Sequence, residues 1–107
     1  MNPWIMMAGA IVAEIVGTTA LKLSDGFARL GWAAVVVAGY GLSFYLLSQA
    51  LKTLPIGLVY AIWSGVGTVG TAIIGLVLFG ETFSLFKAAG IALIVGGVAV
   101  LNAGGPH

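Results

Sequence analysis

The chain has 107 residues, of which 61% are hydrophobic and only 7% are charged, and its formal net charge is +1. A soluble domain carries about 25% charged residues, so this composition indicates that lipid surrounds most of the chain, and the near-neutral charge gives no basis for binding nucleic acid. The chain has no cysteine, and its single histidine, His107, stands at the last position, so we expect no disulfide, no thiolate or histidine metal site and no cysteine or histidine catalysis inside the fold.

Four apolar runs follow one another, separated by short segments that hold the charges and turn residues. They predict helices at residues 3–23, 31–51, 56–79 and 86–103. Each run is close to the ~20 residues that a helix needs to cross about 30 Å of hydrocarbon. Backbone groups in lipid must be bonded within the segment, which excludes strands. The sequence therefore predicts an all-α, multi-pass membrane protein, with a single four-helix transmembrane domain over residues 1–107.

The first predicted helix contains one carboxylate, in the stretch GAIVAEIVGTTA. Glu14 lies roughly 16 Å along the helix from Pro3 and about 12 Å from Lys22, too far for an intrahelical ion pair. An acid inside a membrane is costly and indicates function by default. We expect Glu14 to bind a cation or a proton in a cavity, although a protonated or hydrogen-bonded structural Glu is the alternative. Its helix face supplies mostly small pocket residues: Ala10, Ile11, Gly17 and Thr18.

Aromatic residues recur at helical spacing in the second and third predicted helices. Tyr60 and Trp63 are three residues apart and therefore share a helix face. Aromatic rings beside a carboxylate suit a bulky organic cation, because they add cation–π attraction and apolar area. Interfacial or core packing is the alternative, but buried Tyr and Trp need polar partners, which favours the site. The second helix contributes four candidates on one face: Tyr40, Ser43, Phe44 and Leu47.

Glycines mark the last two predicted helices. The stretch GVGTVG matches a dinucleotide-binding fingerprint by letter, but that fingerprint has meaning only after a strand, so the match is chance. Gly65 and Gly67 instead predict a helix that can bend. Gly90 and Gly97, seven residues apart, form a small-residue seam that lets another helix approach closely. The seam indicates either a dimer interface or packing within one bundle, and the sequence leaves both open.

The basic residues favour one membrane side over the other by three to one, a difference that the free amino terminus on the poorer side narrows. Lys22, Arg29 and Lys87 belong to the side of the first and third loops, and Lys52 to the other. This is a weak positive-inside bias, so the chain can insert in either orientation. Two copies inserted oppositely form an inverted pair, which is the symmetry that alternating-access transporters use around a midplane site.

These residues resemble the small multidrug resistance transporters over essentially the whole chain. The shared motifs are the MNP start, AEIVGTT-LK-S-GF-RL, LP-G--YAIWSGVG and the seam of Gly90 and Gly97. The resemblance implies an antiparallel, dual-topology homodimer in the bacterial inner membrane, with Gly90 and Gly97 at its interface. It also implies that protons and small organic cations share the pair of Glu14 residues. The residues that would line this site are Tyr40, Ser43, Tyr60 and Trp63.

The activity that the resemblance implies is proton-coupled export of lipophilic, often aromatic, quaternary ammonium cations. Gly17 favours this branch of the family, because it leaves space near Glu14. The stretches SQALKTLPIG and GTVGTAIIGLVLFGE look more like the guanidinium-exporting branch. A guanidinium exporter, or one subunit of a paired heterodimer, is therefore the alternative. No cofactor and no metal are expected, and a single intramembrane acid without interior His or Cys argues against an enzyme.

Overall fold

The computed structural model describes residues 2–104, which form four α-helices: α1 (Pro3–Leu23), α2 (Leu30–Ala50), α3 (Ile56–Leu78) and α4 (Leu85–Ala103). The helices contain 21, 21, 23 and 19 residues. At 1.5 Å per residue they are roughly 28 to 35 Å long, which matches the hydrocarbon core. All four are long and apolar enough to cross a membrane, and this part of the chain contains no strand. The predicted all-α, multi-pass membrane fold is confirmed. His107 lies outside the described residues.

Local capping explains where the helices begin and end. α1 follows the prediction, and the other helix ends differ from it by at most one residue. The Asn2 side chain accepts a hydrogen bond from the Trp4 backbone N–H at 2.8 Å, at the start of α1. α4 begins one residue early because the Ser84 hydroxyl accepts from the Lys87 N–H at 3.1 Å. α3 ends before Gly80, whose φ of 63° lies outside the right-handed helical region.

A tight turn connects α1 to α2. Asp25, Gly26 and Phe27 all have positive φ, at 52°, 66° and 71°. Left-handed backbone at a residue other than glycine is unfavourable, so other bonds must hold it. The buried hydroxyl of Ser24 donates to the Leu21 carbonyl at 2.7 Å and accepts from the Phe27 N–H at 3.1 Å. This short, locally bonded turn makes α1 and α2 antiparallel neighbours.

The chain divides into two compact units, each built from one helix pair. The first unit runs to Leu54 and holds α1 packed on α2, and the second begins at Pro55 and holds α3 packed on α4. The organisation of both pairs as one four-helix domain stays a prediction.

The first unit is held by close contact between small residues. A Cβ atom on Gly39 would lie 2.9 Å from the Ala13 carbonyl oxygen and 3.0 Å from the Gly17 Cα. Only a glycine at position 39 therefore lets the two backbones come this close, as small residues do in membrane helix pairs. The Ser43 hydroxyl adds an interhelical bond of 2.7 Å to the Ala10 carbonyl.

The second unit packs less of its surface. A Cβ on Gly65 would lie 2.8 Å from a Val98 methyl carbon, so α3 and α4 touch at this point. No residue of α4 is buried within the described range, and a Cβ on Gly90 or Gly97 would meet no atom within 4 Å. The seam is therefore open to an approaching helix. Gly65 and Gly67 lie inside an unbroken α3, so bending at these positions stays a prediction.

The contact at Gly39 generates a stability prediction. Gly39→Ala should reduce the free energy of unfolding by about 1–3 kcal/mol, because the new methyl group overlaps the α1 backbone. The matched control is Gly41→Ala on the same helix, where a Cβ meets nothing within 4 Å; it should be neutral or slightly stabilising, since Ala favours helix. Unfolding in mixed detergent micelles, followed by circular dichroism, measures both. Equal effects of the two substitutions would contradict the tight contact.

Candidate functional site

Glu14 is the only acidic residue within the four described helices. It lies near the middle of α1, roughly 16 Å from Pro3 along the axis, and its residue is half-buried. Its two carboxylate oxygens have different surroundings. Oε1 accepts a hydrogen bond of 2.9 Å from the Thr18 hydroxyl, whereas Oε2 is buried and has no hydrogen-bond partner among residues 2–104. Only one of the two carboxylate oxygens is therefore fixed by a hydrogen bond.

Thr18 links Glu14 to the second helix. Its hydroxyl oxygen lies 2.7 Å from the Tyr40 phenol oxygen, which forms an interhelical hydrogen bond. The neighbouring Thr19 behaves differently, because its hydroxyl donates to the Ile15 carbonyl of its own helix at 2.8 Å. Back-bonding to the helix, as at Thr19, is the usual arrangement for a threonine in a helix. The Thr18 hydroxyl instead forms hydrogen bonds with Glu14 and Tyr40.

Gly17 positions the Tyr40 ring. A Cβ on Gly17 would lie 3.4 Å from Tyr40 Cδ1 and 3.5 Å from Cε1. The sequence interpretation assigned the space at Gly17 to a large ligand, but in the first unit the tyrosine ring occupies it. A side chain larger than alanine would push the ring away from Thr18. Lining of a ligand pocket by Gly17 stays a prediction.

The structure separates the predicted α2 residues into packing and surface groups. Ser43 and Leu47 are buried, and the Ser43 hydroxyl proton is donated to Ala10 of α1. Phe44 is exposed, and its ring stacks on Tyr40 with centroids 6.4 Å apart and planes 20° apart. Of these residues, Tyr40 alone reaches the Glu14 network. On α1, the predicted Ala10 and Ile11 are also buried.

The predicted aromatic pair of α3 is present in the second unit. Tyr60 and Trp63 have ring centroids 5.9 Å apart and planes tilted by 46°. The Tyr60 side chain is exposed, at 64%, and Trp63 is half-buried. The two rings therefore offer an adjoining aromatic surface. Their meeting with Glu14 in one site stays a prediction, because they belong to the other unit.

Within the described residues, no three His, Cys, Asp or Glu side chains lie close enough to hold a metal ion. The polar groups that the structure brings together are the Glu14 carboxylate and the hydroxyls of Thr18 and Tyr40. These groups can exchange a proton or attract an organic cation.

Comparison with known proteins defines the family. Residues 2–94 match the family model of the Small Multidrug Resistance protein. The chain belongs to the small multidrug resistance family. The resemblance drawn from the sequence motifs is thereby confirmed. Members of this family are transporters, so the prediction that the protein is not an enzyme is also confirmed.

Individual relatives of this family match over nearly their full length. The chain is 50% identical to the quaternary ammonium compound-resistance protein QacF of Klebsiella aerogenes, over 95% of this chain and 93% of QacF. It is 47% identical to the multidrug resistance protein EbrB of Bacillus subtilis (strain 168), over 100% of this chain and 92% of EbrB. It is 44% identical to the multidrug transporter EmrE of Escherichia coli (strain K12), over 95% of this chain and 93% of EmrE.

Proposed function

We propose that this protein is a multidrug efflux transporter of the bacterial inner membrane that exchanges protons for lipophilic, aromatic quaternary ammonium cations. The observation that carries the proposal concerns Glu14, the single acid within the described helices: one of its carboxylate oxygens accepts a hydrogen bond and the other, which is buried, accepts none. A buried carboxylate oxygen without a hydrogen bond is costly. A proton or an organic cation at that oxygen removes the cost, and either one excludes the other.

Competition for one carboxylate provides the coupling. The ionised carboxylate attracts a cation, and the protonated carboxyl does not. Binding of drug therefore requires release of protons, and protonation on the opposite side of the membrane releases the drug. In a pair of copies, two Glu14 residues share the task, with two protons or one substrate bound. Alternating access of this pair then converts inward proton movement into outward drug movement.

Aromatic surfaces supply the preference for lipophilic cations. Tyr60 and Trp63 adjoin on α3, and Tyr40 and Phe44 stack on α2. Such rings attract cations through their faces and favour apolar substituents. We propose that Tyr40, Ser43, Tyr60 and Trp63 line the site beside Glu14. The names of relatives such as QacF support quaternary ammonium compounds as the substrate class.

Guanidinium export is the second candidate function. It is favoured by the stretches SQALKTLPIG and GTVGTAIIGLVLFGE, which look more like the guanidinium-exporting branch. Guanidinium is small and planar and needs little aromatic area, so the two candidates differ in the cation that drives proton exchange. Pairing with a second, similar chain as a heterodimer is the corresponding alternative for the assembly.

We propose an antiparallel, dual-topology homodimer as the working assembly. α4 has no buried residue in the described range, and its seam at Gly90 and Gly97 has space for an approaching helix. Small residues of this kind allow close helix contact in lipid. The distribution of Lys22, Arg29 and Lys87 against Lys52 gives little orientational preference, which supports insertion in both directions.

Glu14→Gln should abolish proton-driven transport while the helices remain folded, because the amide neither releases nor takes up a proton in the working pH range and carries no charge to attract the cation. Proteoliposomes with an imposed proton gradient should accumulate tetraphenylphosphonium with the unsubstituted protein and not with the variant. Guanidinium, tested in parallel, identifies the substrate branch. Asp25→Asn is the matched control, since this exposed acid lies in the turn after α1 and asparagine tolerates its positive φ. Proton-driven uptake retained by Glu14→Gln would refute the proposed function.

Cation affinity should be highest at alkaline pH and should fall as the pH decreases, because a proton on Glu14 removes the charge that attracts the cation. Binding should release protons. Isothermal titration of tetraphenylphosphonium at a series of pH values, from about pH 4, close to the value for an ordinary glutamate, to about pH 9, measures the affinity. Buffers with different ionisation enthalpies measure the protons. A flat affinity without proton release would show that the cation binds elsewhere.

Single-cysteine labelling should find the first and the second loop on both sides of the membrane. The chain contains no cysteine, so Ala28→Cys in the first loop and Thr53→Cys in the second loop give clean signals. In whole cells, an impermeant maleimide should label a substantial share of both variants, and permeabilisation should expose the remainder. Labelling of only one of the two loops from outside would contradict dual topology.

A further inference from the structure

The Glu14 network has a direction that follows from the number of protons its hydroxyls can donate. The Thr18 hydroxyl donates to Glu14 Oε1 at 2.9 Å. A hydroxyl has one proton to donate, so the 2.7 Å contact between Thr18 and Tyr40 must use the phenol proton of Tyr40. The chain therefore runs from the Tyr40 phenol to the Thr18 hydroxyl and then to Glu14 Oε1. Tyr40 fixes the rotation of the Thr18 hydroxyl, and Thr18 fixes the carboxylate.

The two oxygens of Glu14 are consequently not equivalent. Oε1 is engaged by Thr18, while Oε2 is buried and accepts nothing from residues 2–104. We propose that the proton and the organic cation are exchanged at Oε2, and that Thr18 is a positioning residue that holds Oε1 in both states of Glu14. This inference rests on the proposed proton-coupled function and assigns its chemistry to one atom.

Protonation at Oε2 leaves the network in place. In the protonated carboxyl, Oε1 is the carbonyl oxygen, and it still accepts from Thr18. In the ionised carboxylate the same hydrogen bond becomes charge-assisted and stronger. Thr18 therefore stabilises the ionised form, which is the form that a cation binds, more than it stabilises the protonated form. Thr18 thereby sets the pH at which the organic cation replaces the proton, although its hydroxyl bonds the carboxylate and not the cation.

The described helices contain few other titratable groups. From α2, the helix packed on α1, Tyr40 faces Glu14, and Tyr45 is an exposed residue further along the helix. On α1 itself the nearest charge is Lys22, about 12 Å further along the axis. The titratable groups within the helices of the second unit are Tyr60 and Lys87. The hydroxyl of Thr18 is the hydrogen-bond donor that the structure places on the carboxylate.

Substitution of Thr18 tests the proposal through the pH profile of binding. Thr18→Val keeps the shape and removes the hydroxyl, so the midpoint of pH-dependent tetraphenylphosphonium binding should move up by about one pH unit, the effect of one hydrogen bond to a charged group. Thr18→Ser should restore the midpoint. Thr19→Val is the matched control, because its hydroxyl bonds only the Ile15 carbonyl, and it should leave the midpoint unchanged. A midpoint that Thr18→Val does not move would overturn the proposal.

Tyr40→Phe carries the test independently if Thr18→Val does not fold. Loss of the phenol proton should move the midpoint in the same direction by a smaller amount. The double variant should shift it no further than Thr18→Val alone, because Tyr40 acts through Thr18. Additive shifts would contradict the directed chain.

Infrared difference spectra read the protonated state directly and do not depend on transport. The carbonyl band of protonated Glu14, identified by its loss in Glu14→Gln, should move to higher frequency in Thr18→Val, since a carbonyl that loses a hydrogen bond is stiffer. An unmoved band would mean that the proton sits on Oε1 and would overturn the assignment. If instead cation binding is independent of pH and survives Glu14→Gln, the proposed function fails, whatever the Thr18 variants do.

Discussion

Helices in hydrocarbon gain little from hydrophobic burial against each other, because lipid chains are as apolar as their side chains, so close contact and interhelical hydrogen bonds must hold them. In the first helix pair this contact depends on Gly39, which lets α2 reach the α1 backbone at Ala13 and Gly17. The next residue, Tyr40, is thereby brought to Thr18, and Ser43 is brought to the carbonyl of Ala10. The hydrogen bonds of the site thus follow from one glycine contact.

That contact determines how the intramembrane acid is stabilised. Glu14 obtains one hydrogen bond, from a threonine whose own orientation depends on the second helix. One oxygen is satisfied and the other is not. A fully paired carboxylate would be a structural feature, and an unpaired one would be too unfavourable to retain. A carboxylate with one bonded and one unbonded oxygen is suited to binding and releasing a proton or a cation. This is the physical basis of the proposed exchange site.

The second helix pair has the opposite character. A Cβ on Gly90 or Gly97 would meet no atom within 4 Å, and α4 buries none of its described residues. The pair offers aromatic surface at Tyr60 and Trp63 and an open small-residue seam. A chain that leaves such a seam uncovered is suited to association with a further helix in the membrane. The proposed homodimer uses the seam for assembly and leaves the first pair to hold the carboxylate.

The class and the number of the helices could be predicted from the amino-acid sequence, because four apolar runs of membrane-spanning length allow no other backbone in lipid. The sequence also identified Glu14, since an acid in such a run stands out without any neighbour being known, and its motifs identified the family. The spacing of four residues between Glu14 and Thr18 made their contact foreseeable, yet the sequence could not show whether the Thr18 hydroxyl would bond Glu14 or a carbonyl of its own helix, because a threonine in a helix can do either. Three features became visible in the folded helix pair: Tyr40 fills the space at Gly17, the Ser43 hydroxyl bonds the Ala10 carbonyl, and the two oxygens of Glu14 differ. These features depend on how deeply one backbone approaches another, and that distance is set by contacts between residues far apart in the chain.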